Sequence, residues 1–322
     1  MDIRVDKIPL SDYARDVLPH SAALWAGGRS FERYVADLRE FVSSGYGKRR
    51  FKLVGIRSGG EIVSSCKRYE REVRCGERML RAVGIGAVFT REDCRGRGLA
   101  TTLLAALLDA EREAGSDVAF LFSDIRPHFY EELGFASLPS RSFTIRANSL
   151  PFERIKPVAL RDADWREVAR CFRSIDVHRP IALRRTPLIW ELMRSWFRIT
   201  PRSGNASNLV IRSGERVLAY CLGRRDVAAD AYVVDEFAFA GVRNAHLIPP
   251  LLRAAAGDLR KITGWLPPAP ARDVLPAGSV RARKHALLMA APLSSFARAR
   301  FRAEAERIAR ASGDLIWHTD HI

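Results

Sequence analysis

The stretch VGIGAVFTREDCRGRGLATTLLAALL, residues 83–108, decides the fold of this chain. Its first seven residues are small or apolar and predict a buried strand, and the leucines from Leu99 to Leu108 recur at the spacing of a helix. Gly96 and Gly98 stand between the two elements, each next to an arginine. Glycine lowers helix stability by roughly 1 kcal/mol relative to alanine. We therefore expect another group to approach the backbone closely at this point.

The order strand, glycine-rich turn and helix predicts a site for an anion. The first N–H groups of a helix have no partner within the helix, and they lie at the positive end of its dipole. Glycine allows a phosphate to come close to that backbone. The segment lacks the G-x-x-x-x-G-K-[ST] loop of NTPases and the G-x-G-x-x-G fingerprint of dinucleotide sites. These two classes of nucleotide site are excluded.

Two motifs in this half of the chain resemble those of the GCN5-related N-acetyltransferases, the GNAT superfamily. RGRGLA, residues 95–100, resembles their motif A, R/Q-x-x-G-x-G/A, after a strand and at the start of a helix. PHFYEELGF, residues 127–135, resembles the end of their motif B. The resemblance covers roughly residues 1–150, and a second acetyltransferase-like half makes the chain resemble the Eis-type members more narrowly.

This resemblance implies that acetyl-CoA is the co-substrate. The backbone amides of residues 96–101 would hold its pyrophosphate, and the two arginines would add positive charge. The strand edge at residues 88–90 would pair with the pantetheine arm as an extra strand. The implied binding residues are Val88, Phe89, Thr90, Arg95, Gly96, Arg97, Gly98, Leu99, Ala100 and Thr101.

The resemblance also implies catalytic roles. Tyr130 would be the general acid that protonates the leaving thiolate, and the amide near Val88 would stabilise the oxyanion. Eis-type enzymes use the carboxylate of their own C-terminus as the base, which here belongs to Ile322. Other candidates for the base stay open, namely Glu70, Glu72, Glu77 and His128. We interpret Cys94 as a loop residue, because this superfamily transfers the acetyl group directly.

The chain contains the same order of elements twice. LVGIRSGGEIVSSCKRYER, residues 53–71, and LVIRSGERVLAYCLGRR, residues 209–225, each predict a hairpin with a Ser-Gly turn. An apolar strand, a helix and a second strand follow in both halves. We predict an α/β chain of two GNAT-like domains, each a mixed, mostly antiparallel sheet flanked by helices.

The two predicted domains are residues 1–150, which would bind acetyl-CoA and catalyse, and residues 151–322, a degenerate copy. GVRNAHL, residues 241–247, has bulky or polar residues where the glycines of the first half stand. We therefore expect the second domain to bind no CoA and to shape the acceptor pocket. DLIWHTDHI, residues 314–322, has the composition of a terminal strand.

Composition and charge bear on nucleic-acid binding, membrane spans, cellular compartment and metal binding. The formal net charge is +16, but the basic residues are spread along the chain, so we expect no nucleic-acid partner. No run of 18 apolar residues predicts a membrane span. The five scattered cysteines and the lack of a signal sequence predict a cytoplasmic protein with reduced thiols. His318, Asp320 and His321 lack the spacing of a zinc site, so we expect no metal.

The acceptor is not readable from the sequence. Aminoglycosides, polyamines, lysine side chains and peptide N-termini all stay open as small-molecule or peptide amines. An acyl-CoA-binding or regulatory module without catalysis is the alternative function. A homo-oligomer is compatible with the sequence.

Overall fold

The computed structural model describes residues 5–124, 127–152, 156–199, 207–312 and 314–321. It contains two sheets with helices on their faces, which confirms the predicted fold class. The helices are α1 Leu10–Asp16, α2 Leu18–Trp25, α3 Phe31–Ser43, α4 Gly45–Arg50, α5 Leu99–Glu113, α6 Pro127–Glu131, α7 Trp165–Asp176, α8 Pro187–Ile199, α9 Ile248–Ala256 and α10 Arg302–Ser312.

The first sheet has eight strands in the order β1-β2-β3-β4-β5-β15-β6, with β9 paired to β3. Its strands are β1 Val5–Lys7, β2 Phe51–Ser58, β3 Glu61–Cys75, β4 Arg78–Thr90, β5 Val118–Ser123, β6 Ala136–Ser137, β9 Ile181–Leu183 and β15 Leu287–Pro292. The second sheet has seven strands in the order β14-β7-β13-β12-β11-β10-β8. These are β7 Arg141–Arg146, β8 Val158–Ala159, β10 Leu209–Ser213, β11 Arg216–Asp226, β12 Ala231–Phe239, β13 Lys261–Trp265 and β14 Ser279–Ala282.

Strands cross between the halves in both directions: β7 of residues 1–150 lies in the second sheet, and β9 and β15 of residues 151–322 lie in the first. β7 belongs to the first half in sequence, but it lies in the second sheet between β13 and β14. β15 comes after all strands of the second half, but it lies in the first sheet between β5 and β6. A boundary near residue 150 therefore does not separate the two sheets.

Local sequence signals explain the individual elements. The hydroxyl of Ser30 caps α3 by accepting a hydrogen bond from the N–H of Arg33 at 3.2 Å. The two predicted hairpins form as β2–β3 and β10–β11. α9 begins at Ile248 with prolines in its first turn, where the missing N–H has no cost.

The terminal strand predicted for residues 314–322 is wrong for the part of it that the structure describes. Residues 314–321 form bends and one turn of 3₁₀ helix over His318–Asp320. Their polar side chains bind groups of both halves, so the tail has a path set by side chains rather than by a sheet ladder.

Three apolar clusters cover the two faces of the first sheet, and one of them joins β5 and β15 to α10. On one face the leucines of α5 pack on Val83, Ile85 and Leu121. On the other face the core runs from α1–α4 into the second half without interruption, and it includes Tyr13 and Tyr220. The halves share this core, so their relative position is fixed by apolar packing.

Candidate active site

The first sheet opens between β4 and β5. The two strands pair in parallel from Ala82–Val118 to Ile85–Leu121, and β4 then continues to Thr90 without β5 in the described pairing. A register shift against β3 and a positive φ of 48° at Ala87 mark the same place. Residues 86–90 thus leave one edge of β4 free for an added strand.

The glycine-rich turn stands beside this opening. Gly96 has a φ of 76° and Gly98 a φ of 72°, a conformation that L residues rarely adopt. Among the described residues, no heavy atom beyond the two chain neighbours lies within 4 Å of a side-chain carbon placed on either glycine. The glycines are therefore required by the backbone conformation, and the space above them is open.

Gly98 is the N-cap of α5, and its carbonyl accepts from the N–H of Thr102 at 2.9 Å. The amides of the first turn, Leu99 to Thr101, cannot bond within the helix. Leu99 is buried and anchors the turn, whereas Thr101 is exposed. These features give the helix start the form of an anion site.

The two arginines of the turn are exposed and bind their own loop. Arg95 Nε donates to the Thr90 carbonyl at 3.3 Å, and an Arg97 guanidinium nitrogen donates to the Asp93 carbonyl at 3.2 Å. Both charges therefore remain beside the first turn of α5. Cys94 is buried in the α5 core, which agrees with its interpretation as a loop residue.

The predicted strand-edge residues alternate between the faces of the sheet. Val88 packs against the α5 core, and Phe89 is buried in the core on the other face, where His20 stacks on its ring. Thr90 lies next to the hydroxyl of Ser64 at 3.1 Å. Because the side chains of Val88, Phe89 and Thr90 contact other residues of the protein, a ligand at this edge would bind their backbone groups.

Tyr130 lies on α6 and borders the same core as Val88. Its ring centroid is 4.9 Å from that of Phe129 and 6.1 Å from that of Phe135. Burial raises the pKa of Tyr130 to about 12, with smaller contributions from Cys66 and Asp124. The phenol therefore keeps its proton at neutral pH and can donate a hydrogen bond.

The acids predicted as alternative bases are bound to arginines. Glu70 lies between Arg50 and Arg68, and Glu72 accepts from Arg184 at 2.8 Å. Glu77 is an exposed turn residue.

The other two candidates for the base lie at the surface or beyond the described chain. His128 is 82% exposed and lies near Glu131 and Glu132. Ile322 lies outside the described residues. Its neighbour His321 places its ring 4.6 Å from that of Phe122, the first residue of β5 beyond the last β4–β5 pair.

The second sheet has the same opening, and the C-terminal tail fills it. β12 and β13 pair in parallel from Ala231–Lys261 to Val234–Gly264. Beyond that point the His318 Nδ1 atom lies 2.5 Å from an oxygen of Asp235 on β12. The His318 ring is 4.8 Å from Trp265 on β13, and Trp317 packs on Phe237 at 5.2 Å.

A buried ionic cluster fixes this tail. Arg185 donates to Glu236 at 3.0 Å and to Asp320 at 3.1 Å, and all three side chains are at most 2% exposed. Arg71 of the first half lies 3.4 Å from Asp320. Burial disfavours the charge of Asp320, but the attraction of Arg185 and Arg71 outweighs it and lowers the pKa of this carboxyl.

Sequence reasoning missed this cluster, although one signal was available. Asp235 and Glu236 interrupt the apolar strand YVVDEFAFAG, residues 232–241. Two adjacent acids in a buried strand require partners, because an unpaired buried charge is costly.

No metal site and no membrane span are found. Among the residues that the structure describes, no group of three or more His, Cys, Asp or Glu side chains could hold a metal ion. Within the same residues, no helix is long and apolar enough to cross a bilayer.

Comparisons with known proteins show which family the first half of the chain resembles. Residues 12–138 match the family model described as an acetyltransferase (GNAT) domain. No curated protein matches the sequence.

Solved structures are similar over both halves. A GCN5-related N-acetyltransferase from Kribbella flavida is 20% identical, with a TM-score of 0.66 over 91% of this chain and 72% of that chain. Eis1 from Mycobacterium abscessus is 13% identical, with a TM-score of 0.60 over 90% and 73%. A tandem GNAT protein from the clavulanic acid biosynthesis pathway is 12% identical, with a TM-score of 0.52 over 91% and 99%.

Proposed function

Because the first half of this chain is a GNAT-superfamily domain in an Eis-like two-domain fold, we propose that the protein is an acetyl-CoA-dependent N-acetyltransferase. It transfers acetyl directly to a primary amine of a small molecule or peptide. The observation that carries the proposal is the open left-handed glycine turn beside the free edge of β4.

The chain's own groups divide the work at this site. The amides of the first turn of α5 bind the pyrophosphate, and the free edge at residues 88–90 binds the pantetheine amides. The amide of Val88 donates to the carbonyl oxygen as negative charge develops there. Each contact uses backbone that the fold already holds in place.

Tyr130 stabilises the leaving thiolate by donating from its hydroxyl. Its pKa of about 12 lies above that of a thiol, about 8.5, so full proton transfer to the thiolate is uphill and the phenol acts as a hydrogen-bond donor to the developing charge. The base is the C-terminal carboxylate of Ile322, which follows His321 on Phe122.

The cysteines support a cytoplasmic location, and the pairing of the arginines supports the expectation that the protein binds no nucleic acid. The described cysteines are free and buried, as in a reducing cytoplasm. Many of the arginines are paired with acids on the protein itself, so we expect no nucleic-acid partner. A salt titration of duplex DNA binding tests this. A steep slope with micromolar affinity near physiological salt would contradict it.

A non-catalytic acyl-CoA-binding module is the second candidate. It is favoured by the arginine partners of Glu70 and Glu72, which already bind the carboxylate oxygens of these acids. Release of free CoA in the presence of aminoglycosides, polyamines and peptides distinguishes the two functions. Turnover with any amine above the rate with water supports the enzyme, and binding without turnover supports the module.

A further inference from the structure

Lys67 differs from every other lysine of this chain. The sequence has seven lysines, at positions 7, 48, 52, 67, 156, 261 and 284, and all of them lie in described residues. Six are exposed, and Lys67 is half-buried in β3. No carboxylate of the described residues forms an ion pair with Lys67, and a charge that is partly removed from water without a partner is costly.

The position of Lys67 is the opening between β4 and β5. Lys67 pairs with Gly86, and Gly86 is the first residue of β4 beyond the last pair with β5. Directly opposite residues of an antiparallel pair have Cβ positions about 5 Å apart and point to the same face. Gly86 has no side chain, so no Cβ stands opposite the Lys67 side chain at the free edge of β4.

Lys67 lies on the face of the sheet opposite to Tyr130. Tyr69, two residues along the strand and hence on the same face, packs on Phe41 and Phe51 of the shared core. Tyr130 borders the α5 core on the other face. The acid and the lysine thus stand on opposite sides of one opening, as a leaving-group donor and an attacking amine must.

The amine of Lys67 is nucleophilic near neutral pH. Burial, with a smaller effect of the positive charge of Arg29, lowers the pKa of Lys67 to about 8. About a tenth of the molecules then carry the neutral amine at pH 7, roughly 300 times the fraction for an ordinary lysine.

Few other groups on this face can change charge in the same range. Arg29 is paired with Asp37 at 2.9 Å, and burial raises the pKa of Tyr34 and Tyr69, so both phenols stay neutral. Burial also keeps Tyr13 neutral. His20 also lies on this face, where its ring stacks on that of Phe89.

We propose that Lys67 is a self-acetylation site that accepts the acetyl group when no acceptor occupies the cleft. The proposal rests on the proposed function. Nζ forms a bond to the carbonyl carbon, the C–S bond breaks, CoA leaves as the thiolate and takes up a proton, and the amine gives one proton to water. The product is an amide, which does not pass the acetyl group on. It removes one positive charge from the acceptor side of the cleft.

The test is mass spectrometry of the purified protein incubated with acetyl-CoA and no amine. We expect one acetyl group per chain, and peptide mapping should place it on Lys67 at least about tenfold faster than on the six exposed lysines, which serve as internal controls. The labelling rate should rise about tenfold per pH unit below pH 8 and level off above it, since only the neutral amine attacks. Lys67→Arg should remove the fast label and leave the slow ones.

Equal labelling of all lysines would overturn the proposal, since it would show only solution chemistry. An unmodified Lys67 in a preparation that acetylates an added amine would overturn it while the proposed function stands. Absence of acetyl-CoA binding by calorimetry would overturn both. Tyr130→Phe should slow the label at Lys67 and leave the exposed lysines unchanged, which separates catalysed from uncatalysed transfer.

Discussion

The two halves of the molecule carry the same opening and use it differently. In the first half β4 and β5 separate after Ile85 and Leu121, and a glycine turn with open space stands beside the gap. In the second half β12 and β13 separate after Val234 and Gly264, and the chain's own tail fills the gap. In one copy of the fold the gap is open at the glycine turn, and in the other the chain's own tail packs into it.

Because the tail fills the gap of the second half, we expect only the first half to bind acetyl-CoA. The second half also lacks the turn that would bind phosphate, because residues 242–247 form a 3₁₀ helix before α9. Losing the loop and filling the gap both remove a ligand site. We expect the protein to bind one acetyl-CoA per chain.

The largest effect should come from Tyr130→Phe, which keeps the ring packing and removes the donor of the open cleft. A positioned acid is worth about 100-fold to 10,000-fold, and we expect kcat to fall within that range with little change in acetyl-CoA affinity. Steady-state kinetics with a saturating amine measures it. Near-normal turnover would show that water or another group supplies the proton.

The next largest effect should be a loss of stability when the ionic cluster that fixes the tail in the second half is broken. Glu236→Ala leaves Arg185 buried with one partner fewer, and losing one member of a buried pair costs about 3–5 kcal/mol of unfolding free energy. Glu304→Ala is the matched control, because its pair with Arg307 lies at the surface and is worth at most about 1 kcal/mol. Urea unfolding compares them, and equal losses would show that the tail is not anchored by this cluster.

Gly98→Glu should weaken acetyl-CoA binding at least about 100-fold, because it places bulk and negative charge at the helix start. Gly214→Glu, at an open positive-φ glycine of the β10–β11 turn, controls for backbone strain. Titration calorimetry gives both affinity and stoichiometry. Two sites per chain, or unchanged binding in Gly98→Glu, would contradict the comparison between the clefts.

The smallest expected effect is the pH dependence of stability that comes from Asp314, at the start of the tail. Burial raises the pKa of Asp314 to about 7, although Arg283 and Arg141 partly oppose it. A carboxyl whose folded pKa is raised binds its proton more tightly when folded, so stability falls as pH rises from about 4 to 7, by at most about 1.4 kcal/mol per unit. Asp314→Asn should flatten this slope in urea midpoints, and an unchanged slope would exclude Asp314 as its source.

Short-range patterns predict a large part of this fold. The glycine turn, the leucine face of α5, the cap at Ser30 and the two hairpins all depend on residues close in sequence. The tandem arrangement follows from the repeat of those patterns. Motif A therefore identifies the half that holds the open cleft.

Long-range pairing is what the sequence hides. β15 pairs with β5 across more than 160 positions, as Leu287 with Ser123. Arg71 and Asp320 form an ion pair across 249 positions. An apolar strand such as LLMAAP, residues 287–292, carries no signal of which sheet it joins. The half-buried state of Lys67 depends on the same tertiary contacts.

The exchanged strands have a consequence for synthesis. As the chain leaves the ribosome, β5 exposes an edge that stays without its neighbour until residues 287–292 emerge. An apolar edge in that state can pair with another nascent chain. The first half cannot finish folding during its own translation, so a gene cut between the halves should give an incomplete first sheet and an aggregation-prone product.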